Sequence, residues 1–305
     1  MPKLRHTLLL AILATGSCLL AQHPPSKSAV SPSVHLPRQT ADRDNYIRNF
    51  QFSDLAASLR DMSPSPERDY FAGVLANREG HVPESIVLLE KVVPQIRSSN
   101  PARAAVALQT LADDYVKLFA YDKAIAAYAD LLRNFAAQLD RAERQSTKND
   151  YGAARLLQGA PPQTVAFAGA IDLPMHRNAV LGTLDADLTV NGATASWILD
   201  TGANFSTVSA SFARRLGLQL SKGEAQTQGV TGAENKLHIA ILPELKLGGA
   251  TVRNIVLLVL EDSSLNVPTG AKTRYQIDAV LGYPVLQALQ RITFTSDGHF
   301  LAGPA

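Results

Sequence analysis

The chain has 305 residues, 46% of them apolar, which is ample for more than one core, so two folded units with appendages are expected. Its 29 basic and 27 acidic residues leave a formal charge of +2 and are scattered along the chain, which excludes a phosphate-tracking surface and with it nucleic acid as a partner. A single cysteine, Cys18, rules out internal disulfides and thiolate metal clusters.

Lys3, Arg5 and His6 precede an uncharged run from Thr7 to Leu20, shorter than the roughly twenty residues a helix needs to cross a bilayer. Residues 1–21 therefore read as a secretory signal peptide, with small residues for cleavage at Ala14-Thr15-Gly16 or Leu19-Leu20-Ala21, and the mature chain as extracytoplasmic, periplasmic or secreted. A bacterial lipoprotein signal resembles this segment, with Cys18 as the first mature residue and lipid-anchored, although Thr15 stands where a larger aliphatic residue is usual. Cleavage without lipid and anchoring at Cys18 both stay open. Residues 22–43 hold Pro24, Pro25, Pro32 and Pro37 among Ser, Gln and Lys, too little apolar surface to order itself, and read as a linker.

From 44 to 158 the pattern turns helical, rich in alanine and leucine. Leu111-Ala112, Tyr115, Ala124, Tyr128 and Leu131 resemble the spacing of a tetratricopeptide repeat (TPR), and Ala72-Gly73, Gly80, Ser85, Leu89 and Val92 form a looser copy thirty-nine positions earlier. Two repeats need flanking helices, at 45–62 and 141–157, to close their ends. Such a TPR-like unit either offers a groove to a protein partner or only spaces the rest of the chain. Gly159-Ala160-Pro161-Pro162 breaks the helix and opens a linker read over 159–177.

The remaining stretch, 178–305, reads as all-β. Leu184 to Val190 alternates apolar and polar residues, Asn191-Gly192 signals a tight hairpin, and the chain returns as Ala195 to Leu199 to deliver Asp200. Ser209 can cap a short helix bearing Phe212 and Leu216, with Gly217 ending it. Asp185 and Asp187 are expected on the solvated face of their strand, and Ile255 to Leu260 as a buried strand. Arg291 to Phe294 and His299 to Leu301 flank Ser296-Asp297-Gly298 as a C-terminal hairpin. His-Glu-x-x-His and Gly-x-Ser-x-Gly do not occur, so neither zinc-protease nor serine-hydrolase chemistry has its residues, and neither metal nor cofactor is expected.

The tripeptide Asp200-Thr201-Gly202 alone would arise by chance in on the order of one chain in ten. Its context is more specific: Trp197-Ile198-Leu199-Asp200-Thr201-Gly202-Ala203, then Ile277-Asp278-Ala279-Val280-Leu281-Gly282 some eighty residues on, resembles the retropepsin-like (retroviral-type) aspartic proteases. The fold class expected is thus α+β multidomain, with N-terminal TPR-like hairpins before an all-β retropepsin-like acid protease domain. The resemblance implies Asp200 as the catalytic carboxyl, supported by Thr201, Gly202 and Ala203, with Leu281 and Gly282 packed beside its loop; Asn204 and Tyr283-Pro284 depart from the family pattern. It further implies a substrate-binding flap at Gly229, Val230, Thr231 and Gly232, the alternative being an ordinary surface turn. A lone carboxyl cannot run aspartic chemistry, which needs two carboxyls sharing one proton, and no second Asp-(Thr/Ser)-Gly exists in the chain. The resemblance therefore implies a homodimer that pairs two copies of Asp200 and cleaves a peptide or protein substrate. The alternative is a catalytically silent envelope protein that binds peptides or acts as a scaffold.

Overall fold

The structure, a computed structural model, describes residues 43–223, 225–228, 234–270 and 273–304. The signal segment, Cys18, nearly all of the 22–43 linker and the four flap residues Gly229, Val230, Thr231 and Gly232 lie outside the described residues. The described residues form two compact units, one of 43–118 with 126–144 and the other of 119–125 with 145–304.

Seven helices come first: α1 (Arg43–Arg48), α2 (Phe52–Leu59), α3 (Pro66–Arg78), α4 (Val82–Ile96), α5 (Pro101–Lys117), α6 (Tyr121–Asn134) and α7 (Arg141–Leu156). Their starts follow from local chemistry. Ser65 accepts the Arg68 N–H ahead of α3 and Asn100 the Arg103 N–H ahead of α5, each with proline in the first turn, where a missing N–H costs nothing. Gly73 lets α3 and α4 approach closely, because a Cβ there would stand 2.6 Å from the Leu89 side chain.

Within the first unit a polar knot joins α3, α4 and α5. Asp114, fully buried, accepts from Asn77 Nδ2 at 2.7 Å and Ser85 Oγ at 2.5 Å, while Asn77 also reaches Asp113. Burial raises the Asp114 carboxyl to about 6, with Asp113 adding to the rise and the Ser85 and Asn77 bonds and Lys117 opposing it. A carboxyl that binds its proton more tightly folded than unfolded stabilises most below the unfolded value near 4, and loses that contribution as pH climbs toward 6. Asp114→Asn is therefore expected to flatten the pH dependence of helix unfolding between pH 4 and 7, removing a change of ~3 kcal/mol. Urea titrations followed by far-ultraviolet circular dichroism at the two pH values check this; an undiminished slope in the variant would refute it.

The second unit carries β1 (Thr164–Phe167), β2 (Ile171–Pro174), β3 (His176–Arg177), β4 (Leu184–Val190), β5 (Ala193–Leu199), β6 (Ser206–Ser209), α8 (Ala210–Arg215), β7 (Ala225–Gln228), β8 (Glu234–Leu247), β9 (Ala250–Leu260), β10 (Asn266–Pro268), β11 (Arg274–Gln276), β12 (Ala279–Leu281), α9 (Tyr283–Ala288), β13 (Arg291–Phe294) and β14 (His299–Gly303). The main sheet runs β3-β4-β5-β12-β6-β9-β8-β7, with β1 also on β9, and a second sheet runs β13-β14-β2. One face of the main sheet packs on a core built around Trp197, Phe212, Leu242, Leu257, Leu281 and Phe300. Trp197 is fully buried and meets the Phe212 ring edge-on at 5.9 Å.

The hairpin of β4 and β5 turns on Asn191 and Gly192, both at positive φ, as the right-handed twist of paired strands demands. Ser209 accepts the Phe212 N–H to start α8, and Gly217 at φ 67° follows its end. Two expectations need correction. Residues 164–177 are not linker: β1 pairs with β9 and β2 with β14, so two short runs find partners far along the chain. Asp185 is not solvated but 1% exposed, because the turn ahead of β4 folds over it and Asn178, Thr183 and Ser196 supply donors, whereas Asp187 does lie exposed. At the C-terminal hairpin, β2 of the same chain fills the outer edge of β14.

Candidate active site

β12 lies between β5 and β6, parallel to the first and antiparallel to the second, with Leu281 opposite Leu199 and Val280 opposite both Ile198 and Thr207. A strand from some eighty residues downstream is thus threaded between the two strands that flank the Asp200 loop. The Asp200 N–H donates to the Leu281 carbonyl at 3.0 Å, and the Tyr283 N–H to the Ala203 carbonyl at 2.8 Å. The Gly282 N–H donates to the buried Ser206 Oγ at 3.0 Å.

Gly282 is required by space rather than by conformation. Its backbone is extended at φ −88°, which any residue adopts, but a Cβ would stand 2.5 Å from the Phe205 carbonyl carbon and oxygen. Leu281 is fully buried and Ala203 1% exposed, so only a small side chain fits beneath the loop. Asp200 itself is half-buried, and its Oδ1 accepts the Gly202 N–H at 2.8 Å, which fixes one carboxyl oxygen and leaves the other directed elsewhere. Thr201 and Gly202 are exposed. Asp200, Thr201, Gly202, Ala203, Leu281 and Gly282 are therefore assembled in one place, and α9 begins directly after the glycine despite Tyr283-Pro284, with Pro284 in its first turn.

β7 and β8 pair antiparallel out to Gln228 opposite Glu234, two arms that end where the expected flap residues begin. Two further acids lie near β5. Asp185 faces Ile198 in register, two residues or about 7 Å along the strand from Asp200, and its carboxylate is held by three donors. Asp278 accepts from Ser209 Oγ and Arg215, both at 3.4 Å. Neither is placed to share a proton with Asp200. Ser206 went unnoticed in the sequence because a serine within a short strand carries no signal until its partner, seventy-six residues away, is known.

Against known proteins, residues 186–285 match the family model described as Aspartyl protease. That stretch runs from β4 through the threaded β12 into α9, so this part of the chain, which the helical region precedes, is similar to aspartyl proteases. Among solved structures it is similar to the crystal structure of a retropepsin-like aspartic protease from Rickettsia conorii, at 21% identity over 46% of this chain and 93% of that one, with a TM-score of 0.33. No curated protein matches the chain.

Proposed function

We propose that this protein is an aspartic endopeptidase that works as a homodimer, with Asp200 from each subunit meeting at the two-fold axis. One observation carries the reading: a carboxyl at the end of a buried strand, one oxygen pinned by the Gly202 N–H, on a loop locked by β12. Two such carboxyls side by side cannot both ionise and hold one proton between them. The ionised partner takes a proton from a water as it attacks the scissile carbonyl, and the protonated one gives its proton to the carbonyl oxygen. The resulting tetrahedral diol then expels the amine, whose nitrogen takes the proton the first carboxyl collected, while one diol hydroxyl returns its proton to the second carboxylate as the product carbonyl forms and the pair is restored. The β7–β8 arms suit a flap closing on an extended peptide held by main-chain bonds. The charged residues before the apolar leader support export from the cytoplasm.

The test compares wild-type chain with Asp200→Asn on unstructured peptides between pH 4 and 7. Loss of about 10³-fold or more in kcat is expected, the range general acid–base catalysis supplies. Equal cleavage by both, or none by the wild type, rejects the reading and favours a silent peptide-binding role.

A further inference from the structure

The Leu281 carbonyl and the Gly282 N–H belong to one trans peptide, a rigid plane with its two polar groups pointing to opposite sides. The oxygen accepts the Asp200 N–H, and the N–H donates to Ser206 Oγ. A single plane therefore has the catalytic residue on one side and the serine hydroxyl on the other. The flanking bonds from Asp200 and Tyr283 are backbone to backbone and survive side-chain changes; the Ser206 bond does not.

We propose that Ser206 is a positioning residue for Asp200. This inference rests on the proteolytic reading above. The hydroxyl sets the tilt of the 281–282 plane, the plane sets where the Asp200 N–H sits, and the carboxyl follows from that nitrogen through Cα and Cβ. Gly282 makes the lever stiff: the plane lies so close to the Phe205–Ser206 backbone that it has no slack to absorb a lost bond by sinking further. Ser206 is 1% exposed, so water cannot enter freely to replace its oxygen. It touches neither substrate nor the reacting atoms, and acts only through the peptide that it holds.

Ser206→Thr and Ser206→Val have nearly the same shape and differ in the hydroxyl, so the pair isolates the bond. In the full chain, the threonine variant is expected to cleave within about threefold of wild type, and the valine variant to lose about 10- to 100-fold in kcat, as a misplaced catalytic group does. KM should stay within about twofold, because the binding surface is untouched, and the limbs of the pH–rate profile should move with the spacing of the paired carboxyls. Ser206→Ala, which adds no bulk, supplies the comparison if branched side chains prevent folding. Equal kcat and superimposed pH profiles for Thr and Val overturn the proposal, as does a loss that merely tracks the folded fraction with unmoved limbs. Absence of cleavage by wild type rejects the proteolytic reading instead, and the inference with it.

Discussion

Adding a ninefold excess of Asp200→Asn chain to a fixed amount of wild-type chain, with time for subunits to exchange, is expected to cut peptide cleavage to roughly a tenth, since random pairing leaves one wild-type chain in ten with a wild-type mate. A mixed dimer holds one carboxyl and one amide; the amide neither takes a proton from water nor shares one, so the pair has no base and acid to divide between the two steps. Among the described residues the two acids near β5 offer no substitute, since Asp185 is committed to Asn178, Thr183 and Ser196 and Asp278 to Ser209 and Arg215. The variant keeps the Oδ1 acceptor for the Gly202 N–H, so it should fold and pair like wild type. Activity that holds steady as the variant is added would show that one subunit suffices, and would reject the paired-carboxyl mechanism while leaving proteolysis by another route to be explained. Specific activity should also rise with wild-type concentration through the dissociation constant of the dimer.

What could be read from the sequence was local. The β4–β5 hairpin is written in Asn191-Gly192 and the alternation before it, and α8 in Ser209 and Gly217, because those residues act on their own neighbours. Asp200 with Gly202, and Leu281 with Gly282, were legible as two separate motifs whose meeting in space the family resemblance implied. What escaped was non-local. The runs 164–167 and 171–174 are too short to show a period, and their partners β9 and β14 lie some ninety and one hundred and thirty residues on. Gly169 gave no hint that Gly249 would crowd it, at 2.3 Å from a Cβ built on the latter. Asp185 looked like a surface residue because it is charged; the donors that permit its burial sit in a turn and a neighbouring strand, and one of them, Asn178, also donates to the Tyr275 hydroxyl far along the chain. Ser206 is the same case at the site itself. Sequence patterning finds faces of elements, and these residues matter through what other elements bring to them.

Gly282→Ala is expected to cost about 3 kcal/mol of stability in the β unit and to abolish cleavage, the steric penalty falling at the upper end for an overpacked site. The φ of −88° is open to alanine, so the effect is purely one of space. The new methyl would meet the Phe205 carbon and oxygen at 2.5 Å and the Ser206 nitrogen at 2.8 Å, all backbone atoms with no rotamer to swing aside. Relief requires the 281–282 peptide to withdraw, which strains both the Ser206 bond and the Leu281 bond to Asp200, and loosens β12 between β5 and β6. Trp197 reports on this directly, since it sits in β5 opposite Ala279 of β12. Its fluorescence in urea should reveal an earlier midpoint, whereas the circular dichroism of the helical unit stays put. Gly202→Ala serves as the contrast: the nearest atom to a Cβ there is Asp200 Oδ1 at 3.3 Å, and the residue is exposed, so its stability should remain near wild type. An unchanged Trp197 midpoint in Gly282→Ala would mean that the contact with Phe205 yields easily, and that the peptide beneath Asp200 is not a rigid support.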